Sequence, residues 1–203
     1  MTQVLRTIQR TALSAFEKKR ETPPVKYYRL VDLPTLPTED GHRYEIIDGG
    51  LIVTPAPARP HGIIASRIAY EITRYCKQNR PEWSLIAQPI NLEMETEDTT
   101  YHCEPDLSIF DQPSEAIVAN DTLLPVIVIE IVSPGNPEND YVRKVSAYAA
   151  IGIPEYWIVD SRHNTVIFLE LTTVGKRSHY TKIDNSQLLP ETNLALDEIF
   201  AGL

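Results

Sequence analysis

The segment PVIVIEIVSP, residues 125–134, constrains this chain more than any other. Its aliphatic side chains fall on both parities, so as a strand it has no polar face for water and belongs at the middle of a sheet covered on both sides. Glu130 stands at its centre. A carboxylate there cannot reach solvent along the strand, and burying it unpaired costs several kcal/mol. It needs a cation, a hydrogen-bond network or a metal beside it, or it must open on a cleft. Asp106, in the run EPDLSIF, poses the same problem one strand earlier.

The distribution of charge narrows the choice of partner. From Pro81 to Val142 there are thirteen acidic residues and no Lys or Arg, after which Arg143 and Lys144 arrive together. Local pairing is therefore closed to both acids, and a divalent cation, Mg²⁺ or Mn²⁺, is an economical partner for carboxylate oxygens. The alternative is a structural salt bridge to a distant base. Residues 1–30 carry seven basic groups against two acids, although the whole chain has a net charge of −9. That balance argues against a general nucleic-acid coat and leaves the basic arm as the segment suited to phosphate.

A length of 203 residues suits one domain with a sizeable core. Two cysteines, Cys76 and Cys103, form neither a disulfide framework nor a metal-ligand spacing, which fits a reducing, cytoplasmic setting. No stretch has the roughly 18 apolar residues of a membrane span, so no membrane partner is expected.

Periodicity predicts an N-terminal amphipathic helix on Leu5, Ile8, Ala12 and Phe16, then a proline-rich arm to about residue 40. YEIIDGGLIV reads as a hairpin about Asp48-Gly49-Gly50. HGIIASRIAYEITRYCKQ reads as a helix with Ile64, Ile68, Ile72 and Tyr75 inward and His61 at its start. Three strands follow, WSLIAQPINLEM, EPDLSIF and PVIVIEIVS. A helix from about Pro137 to Ala150 stops at Gly152, and PEYWIVD, TVIFLELT and SHYTKI complete the strands before a short LALDEIF. The fold class expected is α/β (α+β), one mixed sheet with helices on its faces. On the last long helix Asp140, Lys144 and Tyr148 recur every four residues, so Lys144 either lies beside the Glu130 strand or makes a surface pair with Asp140.

With these segments in order, YEIIDGGLIV…APARPH, EPDLSIF, VIVIEIVSP, D-x3-K-x3-Y and AIGIPEYWIVD, the chain resembles the Uma2-like family. That family, formerly a domain of unknown function common in cyanobacteria, looks like a branch of the PD-(D/E)xK nucleases with a restriction-endonuclease-like fold. The resemblance covers residues 44–200, and the division expected is a basic helix and arm over 1–40 and the nuclease-like domain over 41–203. It implies that Asp106 and Glu130 are metal ligands. The lysine that the superfamily places two residues after the glutamate is replaced here by Val132, and Lys144 is the matching position on the next helix. Glu45, His61, Glu104 and Tyr148 match further positions and are expected to line the site.

The activity implied is Mg²⁺- or Mn²⁺-dependent hydrolysis of phosphodiester bonds by an endonuclease. Its partners would be nucleic acid, DNA first, and a second copy of the chain as a homodimer. Two alternatives stay open at this stage. One is a nuclease fold that binds nucleic acid without cleaving it, and the other is a protein-interaction module.

Overall fold

The computed structural model describes residues 26–36 and 41–203, apart from positions 176, 191 and 193. The N-terminal helix expected over residues 2–20 lies outside the described residues.

Two sheets, rather than one, are formed by the described residues. The smaller is antiparallel and is built from β1 (His42–Ile47), β2 (Gly50–Pro55), β4 (Leu92–Glu95) and β5 (Thr100–Cys103), in the order β2-β1-β5-β4. The larger contains β3 (Ser84–Ile86), β6 (Leu107–Phe110), β7 (Ile127–Ile131), β8 (Glu155–Asp160), β9 (Thr165–Val174) and β10 (Arg177–Ile183), in the order β10-β9-β8-β7-β6-β3. Only β7 and β8 run parallel, with Glu130 opposite Ile158, so the larger sheet is mixed.

The segment WSLIAQPINLEM is two strands and not one. Residues 87–91, with Pro89 among them, separate β3 from β4, and the halves join different sheets. A proline cannot donate to a ladder, which explains the break. Strand β5 was not anticipated, because TYHC, four residues of mixed polarity, gives little signal, although all four are buried.

The β1–β2 hairpin turns at Asp48 and Gly49, whose φ angles of 52° and 70° suit a tight two-residue connection. Gly49 is required for a second reason: a Cβ there would lie 2.0 Å from the Tyr27 ring. Within the arm Leu30–Thr35 form a 3₁₀ helix, with Arg29 paired to Glu95 at 2.9 Å and the Tyr28 amide bonded to the Gly49 carbonyl.

Helix α1 (Arg59–Asn79) begins with Pro60 in its first turn and ends before Pro81, which disfavours helical backbone at Arg80. It buries Ile64, Ile68, Ile72 and Cys76, the last in place of the expected Tyr75, which is only half-buried. These residues cover Ile127, Ile129 and Ile131 of β7 together with Leu107, Ile109 and Trp157. Each fully buried isoleucine contributes about 1.5–3 kcal/mol, and truncating Ile68 to alanine would cost about 2–5 kcal/mol. A short α2 (Ser114–Ala119) intervenes on the surface.

The opposite face of β7 presents Val128, Glu130 and Val132. It packs against α3 (Lys144–Ile151) and the inner side of the small sheet through Ala147, Tyr148, Ile47, Ile52 and Tyr101. Gly152, at φ 93°, ends α3, and the amides of Gly152 and Ile153 both bond to the Tyr148 carbonyl. The stretch before α3 is a π turn, Asn139–Arg143, where a regular helix was expected.

A further buried carboxylate, Glu155 at the start of β8, accepts hydrogen bonds from Trp157 Nε1, Ser186 Oγ and the amides of Gln187 and Leu188 at 2.7–2.9 Å. Leu189, Leu194, Ile199 and Phe200, the last two in and beside α4 (Leu196–Ile199), join the α1 core. No helix among the described residues is long and apolar enough to cross a membrane.

Candidate active site

The even face of β7 explains where Glu130 points. It projects between α3 and the small sheet and is 2% exposed, so its charge must be met inside the protein. Lys144, on the first turn of α3, sends Nζ to Glu130 Oε1 at 2.7 Å, and Tyr148, one turn on, donates its hydroxyl to the same oxygen at 2.5 Å. Side chains four apart on a helix share a face, so one strand carboxylate receives both donors.

Lys144 Nζ also lies 3.1 Å from Glu45 Oε1 on β1 and 4.0 Å from Asp140 Oδ1 in the π turn. Glu45 Oε1 in turn accepts the Glu104 amide at 2.8 Å, which ties β1 to the loop before β6. Lys144 is therefore not a surface lysine paired with Asp140 alone. It is buried among three carboxylates supplied by two strands and a helix start.

Asp106 ends the loop before β6 and is compensated from far away in the sequence. Arg43 Nη1 reaches Oδ1 at 2.9 Å, while His61 Nε2 and the Ile131 amide both reach Oδ2 at 2.9 Å. For Asp106 the alternative of a salt bridge to a distant base is the one the structure shows, beside the absence of any base close in sequence. The fold brings Arg43, 63 residues away, and His61, 45 residues away, onto Asp106.

Charge sets the proton affinities. Burial would raise Asp106, but the hydrogen bond and charge of His61, with Lys144 and the Ile131 amide, hold it well below the usual carboxylate range. Burial raises Glu130, with Lys144 opposing and the neighbouring acids reinforcing. Asp140 is pushed up to about 6, chiefly by burial. Lys144 is pushed the other way by burial, yet the surrounding carboxylates keep it firmly cationic. Four acids thus face two permanent cations and one imidazole, and burial first, with the neighbouring acids adding to it, raises the proton affinity of Glu130 and Asp140.

These groups line one cleft together with Thr54, Pro57, Ser133, Asn136 and Asn139, and its free volume is about 40 Å³. Asn139 is 3% exposed, and its Oδ1 has no hydrogen-bond partner. Of the residues singled out from the sequence, Asp106, Glu130, Lys144, Glu45 and His61 line the cleft. Tyr148 supports Glu130 from beneath. Glu104 is not a lining residue, and its carboxylate lies 3.6 Å from His102 Nε2. Arg43, Asp140 and Asn139 are the members that sequence reasoning did not assign to the site. Of these only Asp140 gave a signal, through its four-residue spacing from Lys144.

Among the described residues no group of three or more His, Cys, Asp or Glu is arranged to hold a metal ion. The donor chemistry nevertheless fits a hard divalent cation. Carboxylate oxygens are in electrostatic surplus, a buried amide oxygen is unpartnered, and the volume suits a small ion with water.

Comparison with known proteins agrees with this architecture. The model of the Uma2 family, described as "Putative restriction endonuclease", matches residues 27–203. The crystal structure of a protein from Anabaena variabilis, described as "a putative nuclease belonging to DUF820", superposes with a TM-score of 0.60 at 19% identity, covering 85% of this chain and 97% of that one. At that identity the likeness is one of fold. Comparison with curated proteins yields no match.

Proposed function

This chain belongs to the Uma2 family, and from that premise we propose that the cleft is the active centre of a metal-dependent endonuclease that hydrolyses phosphodiester bonds in DNA. The observation that carries the reading is the convergence of Glu45, Glu130 and Asp140 on Lys144, with Asp106 lining the same cleft and negative charge in excess. Asp106 and Glu130 would hold Mg²⁺ or Mn²⁺, with Asn139 Oδ1 as a neutral oxygen nearby. When bound, the cation supplies Lewis acidity, acidifying an attacking water and offsetting charge on the phosphate.

The protein's own groups divide the remaining work. Lys144, kept protonated by its carboxylate neighbours, serves as a hydrogen-bond donor that orients the water or stabilises the developing oxyanion, and not as a base. Tyr148 holds Glu130 in one rotamer. His61, at the start of α1, meets the phosphate or carries a proton at Nε2 once Asp106 is otherwise engaged.

A second reading, a nuclease fold that binds without cutting, is favoured by one observation: both oxygens of Asp106 are already held by protein donors. Incubating the protein with supercoiled plasmid, linear duplex and single strands separates the two. We expect nicking or linearisation in Mg²⁺ or Mn²⁺, none in EDTA, and none from Asp106→Asn or Glu130→Gln. Absence of cleavage on every substrate with both metals would favour the second reading.

A further inference from the structure

We propose that Arg43 is the gate of this cleft and its phosphate anchor: a divalent cation binding at Asp106 displaces the guanidinium from Oδ1, and the freed guanidinium then takes a phosphate of the substrate. The proposal rests on the metal-dependent reading above.

The two oxygens of Asp106 are held unequally. Oδ2 is fixed by the amide of Ile131, part of the central strand, and by His61. Oδ1 is held by one nitrogen of a side chain, Arg43 Nη1. An arriving cation therefore meets least resistance at Oδ1.

Arg43 is also the cation of the cluster best able to leave. Its side chain is 23% exposed, near the open end of β1, whereas that of Lys144 is 6% exposed and pinned by Glu130 and Glu45. A guanidinium that swings outward reaches water at once, so little desolvation opposes the move. A divalent ion on Asp106 also weakens the field that attracted Arg43.

Space makes the move necessary for a substrate as well as for the ion. About 40 Å³ admits roughly two or three waters, and not a phosphodiester with its sugars. Arg43 forms part of the wall, so its departure widens the mouth. The displaced group is suited to the next task, because the planar fork of guanidinium matches two phosphate oxygens. One side chain would thus guard the metal ligand in the empty protein and recruit the anion only in the loaded one.

The test uses the full chain with Arg43→Ala and Arg43→Lys. Mn²⁺ affinity is measured by titration calorimetry without nucleic acid, and duplex binding by fluorescence anisotropy in Ca²⁺ at several salt concentrations. We expect Arg43→Ala to bind Mn²⁺ about tenfold or more tightly than wild type, since a charge-assisted competitor is gone. The same variant should bind the duplex more weakly, with its log–log salt slope reduced by about one. Arg43→Lys, which retains the charge, should recover the slope and guards against a folding defect in the alanine variant. Unchanged or weaker Mn²⁺ affinity in Arg43→Ala, with wild type binding Mn²⁺, would overturn the gate alone. Tighter Mn²⁺ binding with unaltered duplex binding would overturn the anchor. If neither wild type nor Arg43→Ala binds Mn²⁺, the metal-dependent reading itself fails.

Discussion

Replacing Lys144 with methionine keeps the aliphatic stem and removes the charge. Nζ lies 2.7–4.0 Å from Glu130, Glu45 and Asp140. At an effective dielectric near 20, each such pair is worth about 4–6 kcal/mol before desolvation is counted. The ammonium recovers its hydration on unfolding, so the measurable loss is mainly that of leaving buried carboxylates unpaired, about 3–5 kcal/mol. For a chain of this size that is a fall in Tm of roughly 6–20 °C.

The loss should depend on pH. Glu130 and Asp140 already have raised proton affinity, Asp140 to about 6, and removing Lys144 raises both further. A carboxyl whose folded pKa lies above its unfolded value, near 4, destabilises increasingly as pH climbs between the two. The deficit should be larger at pH 8 than at pH 5, where protons replace part of the missing cation's charge. Urea unfolding at both values, followed by the fluorescence of buried Trp157, measures it. A loss below about 1 kcal/mol at pH 8, or an equal loss at both pH values, would refute the reasoning.

Two further perturbations are expected to be informative. Tyr148→Phe removes the hydroxyl that donates to Glu130 but leaves the ring 5.0 Å from Tyr156, so denaturant unfolding should show a loss of about 1.5–3 kcal/mol; a value under about 0.5 kcal/mol would mean that the hydroxyl does not hold Glu130. His102 lies between Glu93 at 3.0 Å and Glu104 at 3.6 Å, and although burial opposes its charge, these carboxylates raise its pKa above 6.5. Its stabilising contribution is therefore complete below about 6.5 and disappears as pH rises through the folded value. Tm should decline over that window in wild type more than in His102→Gln, and parallel profiles would contradict the assignment.

How much of this was legible beforehand follows from the range over which each signal acts. Glu130 and Asp106 stood out because an acid inside an aliphatic run conflicts with its surroundings, and both are buried. Lys144 and Tyr148 were reachable through helical spacing. Arg43 was not, since its partner lies 63 residues away and HRYEII is an ordinary amphipathic strand. The π turn leaves no periodicity of its own over five residues. The small sheet was missed because β4 and β5 have four residues each, too few for alternation to be told from chance.

Glu155 bears on the order of events as the chain leaves the ribosome. Strand β8 sits between β7 and β9, yet the donors that satisfy its first carboxylate come largely from residues 186–188. Until those residues emerge, β8 cannot dock without stranding an anion beneath the sheet, and the apolar stripe of α1 also lacks Leu189, Leu194, Ile199 and Phe200. Docking of β8 is therefore coupled to residues 186–200, so this part of the core closes as one cooperative step.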